Sequence, residues 1–197
     1  AEFLPVNAEE EASVEECVTL ARERFGRVDG VVNCMGTLLL KPAHLTTYND
    51  WQRTLQVNLT SSFAALRAAA KAMTPGGGSV VFVSSAAARI GLANHEAIAA
   101  AKAGIEGLVR SAAASYGQRG IRINAVSPGL TRTRLTDRIT SSEKALESST
   151  RMHVLGRIGD PGDVASAIVW LLDTEQSWVT GQVLGVDGGL GSVRSRG

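Results

Sequence analysis

The chain has 197 residues, 44% of them hydrophobic and 20% charged, and its 20 basic and 19 acidic side chains leave a net charge of +1. This composition predicts one globular domain over residues 1–197, and a near-neutral chain without a basic run argues against nucleic acid as the main partner. No apolar stretch is long enough to span a bilayer, and two cysteines are too few for a disulfide framework, which suits a reducing compartment such as the cytoplasm or an organelle matrix.

In the first half of the chain, strand and helix patterns alternate. Residues 3–6 are predicted to form a strand, and apolar residues then recur at helical spacing until Gly26, which is typical of a helix C-terminal cap. A short buried strand is predicted at residues 30–34, and a longer helix runs from about residue 48 to residue 73. The Pro-Gly-Gly-Gly turn at residues 75–78 ends that helix.

The second half of the chain continues the alternation. Strands are predicted at residues 79–83 and 121–126, with a helix over residues 94–116 between them. Residues 130–158 are polar and irregular, and we expect them to form a lid over the substrate.

The remaining elements complete the pattern and define the fold class. Asp160 is a predicted N-cap, with Pro161 at the first position of a helix that reaches Leu172, and residues 183–186 form the last strand. Apolar strands separated by helices predict an α/β fold in which a parallel sheet is covered by helices on both faces. Such a sheet places its chemistry beyond the carboxyl ends of its strands.

The segments beyond those strand ends carry motifs in a recognisable order. Asn33-Cys34-Met35-Gly36 follows one strand, Asn58 lies in the long helix, and Ser85 follows the next strand. In this order and spacing they resemble the Asn-Asn-Ala-Gly motif, the helix asparagine and the catalytic serine of the short-chain dehydrogenase/reductase family. The resemblance covers almost every residue from 3 to 190.

Two further motifs extend the resemblance. Pro128, Gly129 and Thr133 stand where the family has a Pro-Gly-x-x-x-Thr cofactor loop. The family's Tyr-x-x-x-Lys pair falls on Ile98 and Lys102, so the lysine is present and the tyrosine is not.

The resemblance implies a Rossmann-like doubly wound sheet and a carbonyl–alcohol oxidoreductase that uses NADP or NAD, most similar to the 3-oxoacyl-[acyl-carrier-protein] reductase branch. In that family the tyrosine protonates the substrate oxygen, the serine holds this oxygen, the lysine lowers the tyrosine pKa and grips the nicotinamide ribose, and the asparagine orders a proton-relay water. The catalytic residues implied here are Asn58, Ser85 and Lys102. No metal site is expected, and the implied cofactor-binding residues are Asn7, Asn33, Gly36, Lys102, Pro128, Gly129 and Thr133.

Ile98 is the main departure from the family pattern, because a hydrocarbon cannot donate a proton. Loss of a positioned general acid costs about 100- to 10,000-fold in rate. His95 lies one helical turn before Ile98 and is a possible substitute donor, although a solvated or capping histidine is the simpler interpretation; water is another donor. Tyr48 and Tyr116 have the pattern of packing positions.

Two hypotheses follow from this departure. The chain is either a reductase that works slowly or through a substitute donor, or a catalytically lapsed member of the family kept as a structural or regulatory subunit of an assembly. We expect weak or absent dehydrogenase activity.

The family's glycine-rich phosphate-binding turn is a second departure, since no such segment is found. Residues 3–6 resemble the family's third strand, with Asn7 where an adenine-contacting aspartate often stands. Two strand–helix units, about 60 residues, are therefore absent. We expect a longer polypeptide, whereas a strand at residues 3–6 paired directly beside Val31 and Val32 would indicate a reclosed sheet.

The expected partners are a small carbonyl or acyl thioester substrate and further copies of the chain. Arg132, Arg134 and Arg138 either bind an acidic group of the substrate or belong to a solvated lid. The family commonly forms dimers and tetramers, and the alanine-rich segments at residues 64–70 and 97–108 are compatible with such a homo-oligomer, with a larger assembly, and equally with packing inside the chain.

Overall fold

The computed structural model describes residues 1–193 and contains a parallel sheet of four strands, in the order β1-β2-β3-β4. The strands are β1 (Gly30–Asn33), β2 (Gly78–Val83), β3 (Ile121–Pro128) and β4 (Val183–Val186). The helices are α1 (Glu11–Phe25), α2 (Tyr48–Leu55), α3 (Ser61–Ala72), α4 (Glu96–Tyr116), α5 (Asp137–Thr140), α6 (Glu143–Met152) and α7 (Pro161–Leu172). The predicted α/β fold with a parallel sheet is confirmed.

One face of the sheet carries the larger core. Phe82 of β2 and Ile123 of β3 point to this face and pack with Ile105 and Val109 of α4 and with Leu66 of α3, all of them buried. Burying a side chain of this size contributes about 1.5–3 kcal/mol relative to leaving it exposed. The core therefore fixes α3 and α4, the two helices that face the carboxyl ends of β1 and β2, against the sheet.

The opposite face is covered by α7. Alternation along the strands sends Val81 and Val126 to this side, where they pack with Leu171. The same helix leaves Val169 and Trp170 exposed, and Leu184 of β4 is exposed as well. This second core is smaller, and an apolar surface remains uncovered beside it.

The predicted helix ends are confirmed for α1 and α7. Gly26 has φ 79°, and its backbone N–H donates to the carbonyl of Arg22, which closes α1. Asp160 and Asp163 form a capping box at the start of α7, where Pro161 occupies the first turn.

The long helix predicted from residue 48 to residue 73 is divided by a π-helical turn at Gln56–Thr60. Within it, Ser61 Oγ donates to the carbonyl of Val57 at 2.6 Å, and Ser62 Oγ donates to the carbonyl of Asn58 at 2.8 Å. These hydroxyls bond backbone carbonyls where the helical ladder widens, and such turns are frequent at functional sites. The turn carries Asn58 at its centre.

The strand predicted at residues 3–6 is wrong. In residues 1–193 the ladder of β1 is formed with β2 alone, so the 3–6 segment has no partner strand, and Phe3 is 91% exposed. An extended segment without a partner makes no ladder, whatever its sequence pattern. It therefore does not lie beside Val31 and Val32.

The prediction that residues 130–158 are irregular is also wrong, since α5 and α6 lie within them. Ser142 caps α6 by accepting the N–H of Ala145, and Arg151 pairs with Glu147 one turn earlier at 2.7 Å. These local interactions support a helix in a mostly polar sequence.

The alanine-rich segment at residues 64–70 packs inside the chain. Its alanines and Leu66 are buried against the sheet, which favours the intramolecular alternative for this segment. Among the described helices, none is both long enough and apolar enough to cross a membrane.

Candidate active site

The floor of the candidate site is formed where β1 ends. Asn33, the last residue of β1, is buried, and its Nδ2 donates to Ser62 Oγ at 3.0 Å and to Ser61 Oγ at 3.3 Å. Its Oδ1 accepts the backbone N–H of Met35 at 2.9 Å. Asn33 therefore joins the turn after β1 to the start of α3.

Asn58 anchors the same turn from the π-helical side. Its Oδ1 accepts the backbone N–H of Thr37 at 3.3 Å, and its Nδ2 donates to Thr37 Oγ1 at 3.0 Å and to the carbonyl of Thr54 at 2.9 Å. The side chain is completely buried, so these bonds replace water. Thr37 was not identified from the sequence, because nothing in the local pattern distinguishes it.

Gly36 brings the backbone close to two polar groups. A Cβ added at this position would lie 3.0 Å from Asn58 Oδ1 and 3.5 Å from Lys102 Nζ. Gly36, Asn58 and Lys102, predicted separately from their motifs, are therefore neighbours in the structure.

Lys102 lies on α4 with its ammonium buried. Nζ donates to the carbonyl of Val83, the last residue of β2, at 2.9 Å. Burial lowers the pKa of Lys102 to about 8, and the nearby Cys34 thiol partly opposes this shift. The lysine therefore spans from α4 to the strand that precedes Ser85.

Ser85 follows β2 in extended backbone and begins a short turn, in which its Oγ accepts the N–H of Ala87 at 3.2 Å. The adjacent Ser84 is buried, and its Oγ lies 3.1 Å from Glu106 Oε1 and 3.2 Å from the carbonyl of Lys102. Glu106 was missed from the sequence, although its position one turn after Lys102 was the available signal.

Ile98 occupies the turn of α4 before Lys102 and is only 3% exposed. His95 occupies the N-cap position of the same helix, but its side chain makes no capping hydrogen bond with the described residues. Its Nδ1 lies 2.8 Å from the carbonyl of Ala93 instead. Tyr116 packs beside the core, as predicted, but the packing prediction for Tyr48 is wrong, since that residue is 86% exposed at the solvated start of α2.

The predicted cofactor loop lies beyond the end of β3. Gly129 donates its N–H to the carbonyl of Val186 at 3.2 Å, so the loop is tied to β4 immediately after Pro128. Thr133 is held by Thr136, whose Oγ1 accepts the N–H of Thr133 at 3.0 Å. His153 also contacts this loop. It was not predicted from the sequence, because it belongs to no motif.

Asn7 is the predicted site residue whose contacts are all local. It is exposed, its Nδ2 donates to Glu10 at 2.7 Å, its N–H donates to Ser13 Oγ at 3.0 Å, and its Oδ1 accepts the N–H of Glu9 at 3.1 Å. These bonds organise the start of α1.

Arg132, Arg134 and Arg138 are exposed, which agrees with the interpretation of this segment as solvated. Within residues 1–193, no group of three or more His, Cys, Asp or Glu side chains is arranged to hold a metal ion.

The geometry gives a polar site that adjoins a buried hydrocarbon side chain. A buried asparagine, a serine at a strand end and a lysine ammonium can orient a carbonyl oxygen and a sugar hydroxyl. The buried position one turn from the lysine offers only hydrocarbon, because it is Ile98.

Known proteins are similar to this chain in sequence and in fold. A family model described as enoyl-(acyl carrier protein) reductase matches residues 1–191. A 3-oxoacyl-[acyl-carrier-protein] reductase of Thermotoga maritima is 36% identical over 188 residues, which cover 94% of this chain and 75% of that protein.

Solved structures of known proteins also resemble this chain. A short-chain type dehydrogenase/reductase from Mycobacterium ulcerans is 33% identical with a TM-score of 0.93, over 98% of this chain and 71% of the other. The protein ElxO, solved with NADP bound, is 29% identical with a TM-score of 0.89, over 96% of this chain and 77% of the other. The likeness extends over nearly the whole chain.

Proposed function

Because the chain belongs to the short-chain dehydrogenase/reductase family of oxidoreductases, which act on alcohol and carbonyl groups, we propose that it binds NADP or NAD and reduces carbonyl compounds slowly. The name of the Thermotoga maritima relative makes 3-oxoacyl thioesters the substrate class to test. The NADP bound to ElxO supports NADP as the cofactor to test first.

The cofactor proposal is supported by the space around Gly36. A Cβ there would come 3.0 Å from Asn58 Oδ1 and 3.5 Å from Lys102 Nζ, so glycine leaves this approach to both groups open. Among residues 1–193 the ammonium has one hydrogen-bond acceptor, the carbonyl of Val83, and an –NH₃⁺ group carries three donors. These residues fit a ribose, whose hydroxyls accept such donors.

Each retained residue then has a role in the proposed reaction. A bound nicotinamide supplies the hydride. Ser85, half-buried at the end of β2, orients the substrate oxygen through its hydroxyl, and Lys102 holds the ribose. Asn33 and Asn58 hold the turn at residues 35–37 in place through the bonds described above. Pro128, Gly129 and Thr133 border the nicotinamide side.

Ile98 is the observation that carries the proposal of slow turnover. The reduced carbonyl oxygen needs a proton, and the buried side chain one turn before Lys102 has none to give. Water is the substitute donor that we favour, since Nδ1 of His95 is bonded to the carbonyl of Ala93. A missing general acid lowers the rate by about 100- to 10,000-fold.

A second candidate function is a lapsed enzyme retained as a subunit of an assembly. The same Ile98 favours it, and so does the exposed apolar surface formed by Val169, Trp170 and Leu184. Exposed apolar patches are typical of protein–protein contacts. In either case we propose that copies of the chain associate through this surface of α7 and β4.

The two candidates are separated by binding and turnover measured on the same preparation. Calorimetric titration with NADPH and NADH comes first, followed by single-turnover reduction of a 3-oxoacyl thioester. We expect NADPH binding, slow reduction, and loss of both in Lys102→Met. The matched control Lys71→Met, at an exposed lysine of α3, should leave both unchanged.

Other outcomes decide against one candidate or both. Fast wild-type reduction would contradict the role given to Ile98. Binding of a nucleotide without any reduction would favour the lapsed subunit. Binding of neither nucleotide would contradict the proposed reductase and leave the structural subunit.

A further inference from the structure

His153 lies immediately after α6 and is only 3% exposed. Its Nδ1 is 2.7 Å from the carbonyl of Ser149, and its Nε2 is 3.1 Å from the backbone nitrogen of Leu130. A carbonyl can only accept and a backbone N–H can only donate, so the proton is on Nδ1 and Nε2 is the acceptor. Both ring nitrogens of the neutral imidazole are used.

The ring is also in close contact with the loops on either side. A Cβ on Gly129 would lie 2.5 Å from His153 Nε2, and one on Gly188 would lie 3.5 Å from His153 Cβ. The next residue but one, Leu155, donates its N–H to the carbonyl of Gly188 at 3.1 Å. The imidazole therefore fills the space between the loop after β3 and the loop after β4.

Residues 128–133 are the loop that we assign to the cofactor, and residues 143–152 form the helix of the lid. His153 is the described side chain that hydrogen-bonds the backbone of both, through Leu130 and Ser149. We propose that His153 is a positioning residue that couples the lid helix to the cofactor loop. The role of that loop rests on the proposed function, whereas the coupling itself does not.

The coupling depends on the acceptor at Nε2. A side chain without an acceptor there leaves the N–H of Leu130 without this partner, so the bond between lid and loop is lost. A side chain that offers one acceptor and one donor, as glutamine does, can keep both bonds.

The charged groups around His153 have other partners. Arg157 and Asp163, which line the same cavity, pair with each other at 2.6 Å. Asp187 in that cavity accepts the N–H groups of Gly189 and Gly191. On α6, Arg151 pairs with Glu147. Among the described residues, none of these charges is bonded to the imidazole.

Hydrogen exchange of the loop amides, measured at one pH, tests the coupling. His153→Gln can keep both bonds, so the protection of residues 129–133 should stay close to that of the wild type. His153→Leu, which keeps neither bond, should lose about tenfold in protection there. His153→Phe fills the space of the ring without either bond and should lose protection to the same extent.

A matched control and a ligand titration complete the experiment. His44→Gln, at an exposed histidine, should behave as the wild type does. The dissociation constant for NADPH should rise by about tenfold in His153→Leu and His153→Phe and not in His153→Gln.

Two results would overturn the coupling: full loop protection in His153→Leu or His153→Phe, or equal losses of protection in His153→Phe and His153→Gln. If His153→Leu does not fold, His153→Phe and His153→Gln decide. The expected exchange pattern without NADPH binding in the wild type would support the coupling and contradict the cofactor role of the loop.

Discussion

Two adjoining regions of the candidate site differ in chemistry. In the polar floor, Asn33 and Asn58 make hydrogen bonds through both their Oδ1 and Nδ2 atoms, and Lys102 bonds the carbonyl of Val83. One helical turn from Lys102, Ile98 is equally buried and makes no polar contact, because its side chain is hydrocarbon. The comparison teaches that a hydrogen-bonded polar framework lies one helical turn from a buried position that has no proton to donate.

A substitution that breaks the hydrogen bonds of the polar floor should lower the free energy of unfolding more than a substitution at Ile98 does. Asn58→Leu removes three hydrogen bonds and, within residues 1–193, leaves the N–H of Thr37 without its partner. We expect a loss of about 3 kcal/mol in the free energy of unfolding, measured by urea denaturation. Ile98→Leu is the matched change in the apolar region and should cost less than about 1.5 kcal/mol. Equal costs would remove the distinction between the two regions.

The ammonium of Lys102 predicts a pH dependence of stability. Its pKa falls from 10.5 in the unfolded chain to about 8 in the folded protein, because burial disfavours the charge. The unfolded chain therefore binds more protons between these values. The burial penalty is fully present below about pH 8, and the free energy of unfolding should rise by up to ~3 kcal/mol as the pH approaches 10.5.

Lys102→Met isolates this effect from the other groups that titrate in the same range. The variant should be more stable than the wild type at pH 7 by about 2 kcal/mol, since the lost bond to Val83 offsets part of the desolvation gain. The difference should shrink toward pH 10.5. A variant less stable than the wild type at pH 7, with an unchanged slope, would show that the ammonium is not penalised by burial.

Gly36→Ala tests how closely the turn approaches the polar floor. The new Cβ would lie 3.0 Å from Asn58 Oδ1, so the asparagine must shift, at a cost of about 1 kcal/mol. Gly91→Ala is the control, because a Cβ there has no atom within 4 Å. Its free energy of unfolding should stay within about 0.5 kcal/mol of the wild type. Nucleotide affinity should fall in Gly36→Ala and not in the control.

Much of the fold could be predicted because its signals are local. Apolar runs gave β2, β3 and β4, and the Gly26 and Asp160 caps marked helix ends that the structure confirms. The strand at residues 3–6 could not be judged from its own sequence, since a strand exists only with a partner. The helices within residues 130–158 were missed for the opposite reason, because local capping and an ion pair support α6 in a mostly polar sequence.

Residues of the candidate site were predictable where they belong to a motif. Residues whose role depends on backbone geometry were not. Gly36, Asn58 and Lys102 were implied by the resemblance of their motifs to the family, and the structure places them together. Thr37 and His153 were missed because their roles depend on backbone atoms of distant segments, Thr37 meeting Asn58 and His153 meeting Leu130. Sequence patterns do not record such contacts.

The central claim is that Ile98 removes the proton donor from an otherwise working site. Its direct test is single-turnover reduction of a 3-oxoacyl thioester by NADPH in Ile98→Tyr and Ile98→Phe, two variants of nearly equal ring size that differ by one hydroxyl. We expect Ile98→Tyr to exceed both Ile98→Phe and the wild type by about 100-fold or more, with unchanged NADPH affinity. Equal rates in the two variants, with NADPH bound in both, would contradict the claim.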